Sequence, residues 1–85
     1  MTTVTVYSRP ECHLCREAVD ALVALYKEGY RFELHEVDIE SEELLLRRML
    51  ERIPVVEIDG EVVSDLVLDG AAVRARLDTV GAWAR

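Results

Sequence analysis

Tyr7-Ser8-Arg9-Pro10-Glu11-Cys12-His13-Leu14-Cys15 is the stretch that decides the fold, and it contains both cysteines of the 85-residue chain. Just before and into it, residues 3–8 alternate valine with threonine and tyrosine, a pattern that predicts a β-strand. A helical pattern begins at about Cys12, and Pro10 disfavours helix at the residue before it. A Cys-x-x-Cys pair at a strand-to-helix junction, followed by another strand, is typical of a thiol–disulfide site.

The position of Cys12 at the start of the predicted helix favours a reactive thiolate. The first N–H groups of a helix lack intrahelical partners, and the helix dipole adds partial positive charge there. Such a position can lower a cysteine pKa from ~8.5 to ~3.5–7.5. Cys15 follows one turn later on the same side of the helix. We therefore expect Cys12 to be the attacking thiol, Cys15 the resolving thiol, and the two to form a redox-active disulfide.

Two other interpretations of the cysteine pair remain open. The pair could be half of a zinc site, or two small buried apolar residues. Zinc usually takes four ligands, and the only other nitrogen or sulfur ligands of comparable quality are His13 and His35. His13 lies between the cysteines, where it is poorly placed to join them on one ion, and His35 lies in a predicted strand. The motif context favours redox chemistry without a metal.

The remaining pattern predicts one domain over residues 1–85 with the element order β-α-β-α-β-β-α. The βαβ half should be parallel, the terminal hairpin antiparallel, and the helices should cover both faces of a four-stranded mixed sheet. The predicted elements and their boundary signals are a helix over 14–28 ended by Gly29, a strand over 30–38, a helix from an N-cap at Ser41 to about Leu50, a strand over 55–58, an Asp59-Gly60 hairpin turn, a strand from Glu61 to about Val67, and a helix from about Gly70 to Val80 capped by Asp69.

Charge and hydropathy exclude several classes of binding partner. The net charge of -7 argues against nucleic-acid binding and against anionic membranes. The longest uncharged apolar run, residues 21–26, is far too short to span a membrane, and the N-terminus has no signal-peptide pattern. We expect a cytoplasmic monomer, and in a reducing compartment a Cys-x-x-Cys pair is more often catalytic or metal-binding than structural.

The element order and two motifs resemble the glutaredoxin branch of the thioredoxin superfamily. Residues 7–15 are similar to the glutaredoxin signature Tyr-Ser-Lys-Pro-x-Cys-Pro-Tyr-Cys, with Arg9 as the basic residue. Residues 53–56, Ile-Pro-Val-Val, are similar to the family's Val-Pro-x-Val segment. The resemblance implies a thioredoxin-like α/β fold in which Pro54 is cis and faces the active site, and in which Ile53 offers backbone groups to an extended substrate.

The sequence departs from the glutaredoxin pattern where that family binds glutathione. His13-Leu14 replaces Pro-Tyr or Pro-Phe between the cysteines, and Arg52 replaces a threonine. Ser64-Asp65 stands where glutaredoxins have Gly-Gly, which lets a glutathione carboxylate approach the backbone. The resemblance therefore implies a divergent glutaredoxin-like protein that keeps Cys-x-x-Cys but grips glutathione weakly.

These residues predict a dithiol–disulfide oxidoreductase that contributes to electron transport and redox homeostasis. Its partners would be disulfide-containing proteins or small thiol substrates; no cofactor is required, and glutathione could serve as reductant or co-substrate. Arg9 would raise the thiolate character of Cys12 or dock an anionic group, and a protonated His13 would tune the Cys12 thiolate. Alternatives are a glutathione-dependent iron–sulfur cluster binding module and a non-enzymatic adaptor that uses the fold alone.

Overall fold

The computed structural model describes residues 1–84. These residues form four strands and three α-helices in the predicted order. None of the helices among these residues is both long and apolar enough to cross a membrane. The elements are β1 (Thr3–Ser8), α1 (His13–Glu28), β2 (Glu33–Asp38), α2 (Glu43–Met49), β3 (Val55–Ile58), β4 (Glu61–Ser64) and α3 (Gly70–Thr79), with a 3-10 turn at Ile39–Ser41 before α2.

The strands form one mixed sheet in the order β2-β1-β3-β4. β1 and β2 are parallel, whereas β3 is antiparallel to both β1 and β4. This confirms the predicted thioredoxin-like α/β arrangement, with a parallel βαβ half and an antiparallel hairpin. Because β1 leads directly into α1, the cysteine pair lies at the sheet end where β1 finishes.

Side chains on the two sheet faces form two separate apolar clusters. The larger one joins the sheet to α1 and α3, and the smaller one joins it to α2, so helices cover both faces as predicted. The buried members of the larger cluster are Val4, Val6, Leu22, Leu25, Tyr30, Phe32, Val56, Ile58, Val73, Leu77 and Ala82, and those of the smaller are Ile39, Met49 and Val55.

The predicted start of the second helix was wrong. Ser41 does not cap it: the Ser41 hydroxyl donates to the Asp38 carbonyl at 2.7 Å, and Ser41 ends the 3-10 turn. The carboxylate of Asp38 instead accepts from the Glu40 N–H at 2.8 Å, so Asp38 caps that turn. The helix proper begins at Glu43. Leu50, the predicted end of this helix, follows the last helical residue as its C-cap and is 43% exposed.

Two strands are shorter than predicted, each because tertiary contacts redirect the chain. β2 begins at Glu33, since Thr3 of β1 pairs with that residue and the preceding Tyr30 pairs with Trp83 instead. β4 ends at Ser64, and Leu66 then takes a left-handed φ of 61° while its N–H donates to the Arg52 carbonyl at 2.8 Å.

Candidate active site

Cys12 is the N-cap of α1, with extended backbone angles that turn its side chain toward the first helical N–H groups. Its Sγ accepts a hydrogen bond from the Cys15 N–H at 3.2 Å, and its carbonyl accepts from the Arg16 N–H at 3.1 Å. Serine, threonine and aspartate usually provide this cap. Here a sulfur takes the position, so any negative charge on Cys12 faces the positive end of the helix.

Cys12 and Cys15 are joined by a disulfide, with their Cα atoms 5.2 Å apart. The two cysteines differ in exposure: Cys12 is half-buried, whereas Cys15 is only 2% exposed. An external group can therefore approach the Cys12 side of the bond, while Cys15 is shielded within the first turn of the helix. This asymmetry is the one expected for an outer attacking thiol and an inner resolving thiol.

A cavity of about 640 Å³ opens beside the disulfide and is lined by both cysteines, by the loop before α1 and by the end of β2. Arg9 and His13 line it, but each already has an acidic partner. The Arg9 guanidinium contacts the Glu40 carboxylate at 2.7 Å, and His13 Nε2 contacts that of Glu17 at 2.6 Å. Any positive charge that these residues bring to Cys12 is therefore shared with a carboxylate.

Arg16 also lines this cavity, and the sequence interpretation did not single it out. Its guanidinium makes no ion pair with any other residue among 1–84. Its position directly after Cys15, on a helix that begins at the cysteine pair, was the available signal. Glu36 and Asp38 face the same cavity from β2, and Glu36 accepts a hydrogen bond from the buried Ser8 hydroxyl at 3.1 Å.

The Ile53–Pro54 peptide bond is cis, as the resemblance to glutaredoxins implies. Tyr7 of β1 lies opposite Val55 of β3, and the two strands are antiparallel. Pro54, the residue before Val55, therefore lies at the end of the sheet where the cysteine loop begins. Pro54 is fully buried, and the Ile53 N–H already donates to the Met49 carbonyl at 3.1 Å. Of the two Ile53 backbone groups that the resemblance assigns to substrate, the amide is therefore already bonded within the protein.

Tyr7 is half-buried at this end of the sheet, where it packs against the smaller apolar cluster. Its hydroxyl donates to the Glu57 carboxylate at 3.2 Å across the β1–β3 pair. Burial, and then the negative charge of Glu57, raise the pKa of Tyr7 above its ordinary value. Tyr7 thus stays protonated and serves to hold β1 against β3.

The segment between β4 and α3, which replaces the glycine pair of glutaredoxins, is held by internal hydrogen bonds. Ser64 is buried, and its hydroxyl oxygen accepts from the Asp69 N–H at 2.9 Å. The Asp69 carboxylate caps α3 by accepting from the Ala72 N–H at 3.0 Å. Asp65 lies on the surface, where its carboxylate contacts the Arg52 guanidinium at 3.4 Å. Ser64 therefore stabilises the loop from inside, and Asp65 is the exposed member of the two.

Among residues 1–84, no three His, Cys, Asp or Glu side chains are arranged to hold a metal ion. His35, one of the two other zinc ligands considered from the sequence, is exposed on the edge strand β2. His13 is 86% exposed at the start of α1. Neither histidine is grouped with the cysteines as part of such a site.

The glutaredoxin-like domain family (DUF836) matches residues 3–78 of this chain. The chain belongs to the glutaredoxin-like family. Two solved structures share its fold at substantial sequence identity. Protein Ne2328 from Nitrosomonas europaea is 31% identical with a TM-score of 0.77, and the match covers 88% of this chain and 89% of that one. Protein XcR50 from X. campestris is 34% identical with a TM-score of 0.71, covering 89% and 96%.

Glutaredoxin 1 from Francisella tularensis shares the fold of this glutaredoxin-like protein at 16% identity, with a TM-score of 0.54 and coverage of 94% and 96%. At that identity the likeness concerns the fold alone. A search of curated proteins gave no match. The glutaredoxin-like family, its thioredoxin-like fold and the Cys12–Cys15 disulfide together support a redox role.

Proposed function

We propose that this glutaredoxin-like protein is a dithiol–disulfide oxidoreductase that reduces protein disulfides or small mixed disulfides. The observation that supports this best is the Cys12–Cys15 disulfide at the N-terminus of α1, with one half-buried cysteine and one buried cysteine. A buried apolar pair would need no such asymmetry. A structural crosslink would gain little here, because a bridge across three residues restricts the unfolded chain only slightly.

The reaction proceeds from the reduced protein by two exchanges. The Cys12 thiolate attacks one sulfur of the substrate disulfide, forming a mixed disulfide and releasing the first substrate sulfur as a thiolate that takes up a proton. Cys15 then loses its proton and attacks Cys12 Sγ, which releases the second substrate thiolate and closes the Cys12–Cys15 bond. Two electrons pass from the protein dithiol to the substrate. A cellular thiol or a reductase then returns the protein to its dithiol form.

The first exchange is favoured by the environment of Cys12. Its sulfur accepts a hydrogen bond from the Cys15 N–H and lies at the positive end of α1. Both features stabilise the thiolate relative to the thiol. Arg16 adds a cation to the same cavity. The acids that face it, Glu36 and Asp38, oppose this effect, so the helix terminus and the hydrogen bond are the main stabilising terms.

Glutathione is proposed as a weak co-substrate at most. The backbone N–H groups around the β4–α3 loop, where glutaredoxins hold a glutathione carboxylate, are partly used within the protein. The Leu66 N–H donates to the Arg52 carbonyl, and the Asp69 N–H donates to the Ser64 hydroxyl. The Ala72 N–H donates to the Asp69 carboxylate. A ligand carboxylate would have to displace these bonds or use fewer contacts, so we expect slow turnover of glutathione disulfide compared with a dithiol glutaredoxin.

The test uses the two cysteine variants and their double mutant as a matched set. Cys15→Ser should form a stable mixed disulfide at Cys12 with a disulfide substrate, because the second exchange is removed. Cys12→Ser should form none, and the double variant gives the background. Intact-mass spectrometry measures the adduct, and peptide mapping locates it. A Cys12→Ser protein that traps substrate as fast as Cys15→Ser would contradict the assigned roles, and no exchange by the wild type would contradict the function.

A further inference from the structure

Arg52 and Asp65 contact each other in the structure. Each residue departs from the glutaredoxin pattern, in a different segment of the chain. Arg52 precedes the Ile53–Pro54 bond, and Asp65 follows β4, thirteen positions later in the chain. Their Nε and Oδ2 atoms are 3.4 Å apart. The backbone repeats the link, because the Leu66 N–H donates to the Arg52 carbonyl at 2.8 Å. The two segments thus form one joined surface.

This surface lies at the same end of the sheet as the cysteine pair. Tyr7 pairs with Val55, and Val56 pairs with Ser64, so the residues before β3 and after β4 emerge where β1 ends. Both charged side chains remain accessible there, at 43% exposure for Arg52 and 44% for Asp65. A group attached to a disulfide reacting at Cys12 can therefore meet them.

We infer that the Arg52–Asp65 pair determines the charge preference of the proposed exchange site, an inference that rests on the proposed function. Asp65 acts as an internal carboxylate that occupies Arg52, so a carboxylate-bearing disulfide finds no uncompensated cation at this surface. Neutral disulfides lose nothing by this arrangement. The pair thereby favours substrates that bring no carboxylate to this surface.

The geometry would let Arg52 bind another carboxylate once the Asp65 charge is removed. A charge-assisted contact between a guanidinium and a carboxylate is usually ~2.7–2.9 Å, so one contact at 3.4 Å is loose. Arginine carries five N–H donors in a planar fork that suits a carboxylate in two-point contact. The loop does not depend on the pair, because Ser64, Asp69 and the Leu66 N–H hold it independently. Changing either charge should therefore alter electrostatics while the loop keeps its shape.

The experiment measures the rate at which the reduced protein reacts with three small disulfides of similar size: dithiodipropionate, hydroxyethyl disulfide and cystamine. They are anionic, neutral and cationic. The quantity compared is the ratio of the anionic to the neutral rate, measured at low and high salt. Asp65→Asn should raise this ratio roughly threefold at low ionic strength, and Arg52→Gln should lower it by a similar factor. The double variant should return it close to the wild-type value, and cystamine should show the opposite changes.

Glu61→Gln is the matched control. It removes one negative charge from another surface ion pair, Arg76–Glu61 at 2.7 Å, located at the opposite, hairpin end of the sheet. This control should leave the ratio unchanged. If it shifts the ratio as much as Asp65→Asn, net charge is responsible and the inference is overturned. Unchanged ratios in Asp65→Asn and Arg52→Gln, with neutral disulfide still reduced, overturn the inference alone, whereas a wild type that reduces none of the three disulfides overturns the proposed function.

Discussion

The two ends of the sheet are built in different ways. At the hairpin end, Asp59 and Gly60 take left-handed φ values of 50° and 87° and connect β3 to β4 in two residues. Thr3 closes that end from β1: its N–H donates to the Asp59 carboxylate at 2.9 Å, and its carbonyl accepts from the Asp59 N–H at 2.8 Å. The tight turn and two hydrogen bonds to Thr3 of the neighbouring strand close this end.

The redox end is assembled from segments far apart in the chain. The loop containing Cys12, the Ile53–Pro54 bond and the β4–α3 loop all lie at this end of the sheet. The Leu66 N–H of the β4–α3 loop donates to the Arg52 carbonyl, and Arg9 of the cysteine loop pairs with Glu40. Apolar side chains also remain exposed, including Leu14 at 42% and Leu66 at 51%. The hairpin end is therefore closed by a two-residue turn and by hydrogen bonds to one residue of β1, whereas the redox end combines three loops and leaves charged and apolar side chains exposed.

The largest expected effect at the redox end is the difference in reactivity between the two thiols. In the reduced protein near neutral pH, we expect an alkylating reagent to label Cys12 roughly 50-fold faster than Cys15, because thiolate stabilisation and access act in the same direction. Cys12 is half-buried at the helix start, and Cys15 is 2% exposed. Timed alkylation followed by peptide mass spectrometry measures both rates in one sample, and urea-unfolded protein is the control. Equal rates in the folded protein would remove the basis for assigning separate roles.

Sequence rules worked where contacts are local and failed where they are not. The Asp59-Gly60 turn, the Gly29 helix end and the Asp69 cap are all confirmed, because each depends on the conformational preference or hydrogen bond of one residue. The strand predicted to run to Val67 stops at Ser64, because the buried Ser64 hydroxyl and the Arg52 carbonyl draw the next residues out of the sheet. No pattern within residues 61–67 encodes those partners.

The Arg52–Asp65 contact shows the same limit within the site. The sequence marked both residues as departures from the glutaredoxin pattern, but only the fold brings their side chains to 3.4 Å. Arg9 is a parallel case, since the sequence suggested a cation for Cys12 and the structure pairs it with Glu40. The sequence could single out candidate site residues, whereas their charge partners required the tertiary structure.

The redox-end loop should be sensitive to the loss of one hydroxyl. Ser64→Ala leaves the Asp69 N–H without its partner in a buried setting and should lower the free energy of unfolding by about 1–3 kcal/mol. It should also alter the exchange rate if this loop forms part of the proposed substrate-binding surface. Urea denaturation and the hydroxyethyl disulfide assay measure the two effects.

Ser41→Ala is the control for that prediction. Its hydroxyl also bonds to a backbone group, the Asp38 carbonyl at 2.7 Å, but on an exposed turn where water can replace it. We expect a change below ~0.5 kcal/mol. Equal losses for the two serines would mean that burial at Ser64 contributes nothing, and the contrast between the two kinds of contact would fail.

The hairpin end should respond to backbone conformation alone. Gly60 has a φ of 87°, and a Cβ added there would meet no atom within 4 Å, so Gly60→Ala costs only the left-handed backbone, about 1–2 kcal/mol of unfolding free energy. Gly70→Ala is the matched control in the first turn of α3: it also has open space but no left-handed φ, and it should be neutral or stabilise by about 0.4–1 kcal/mol. Urea denaturation compares them. A Gly60→Ala protein with a changed exchange rate would show that the two ends are coupled.

The smallest expected effect concerns the reduction potential. His13 follows Cys12 and lines the same cavity, so its protonated form stabilises the Cys12 thiolate and with it the reduced protein. His13→Pro, which is compatible with the first position of a helix, should therefore make the protein more reducing. Glu17 shares the imidazolium charge at 2.6 Å, and the side chain is 86% exposed, so we expect a change of only about 10 mV.

Glu17→Gln supplies the opposite change, because it frees the imidazolium from its carboxylate and should raise the potential by a similar small amount. Redox equilibration with a thiol–disulfide buffer measures both variants. A potential that moves in the same direction in the two variants would show that helix-start packing, rather than charge at His13, controls the cysteine pair.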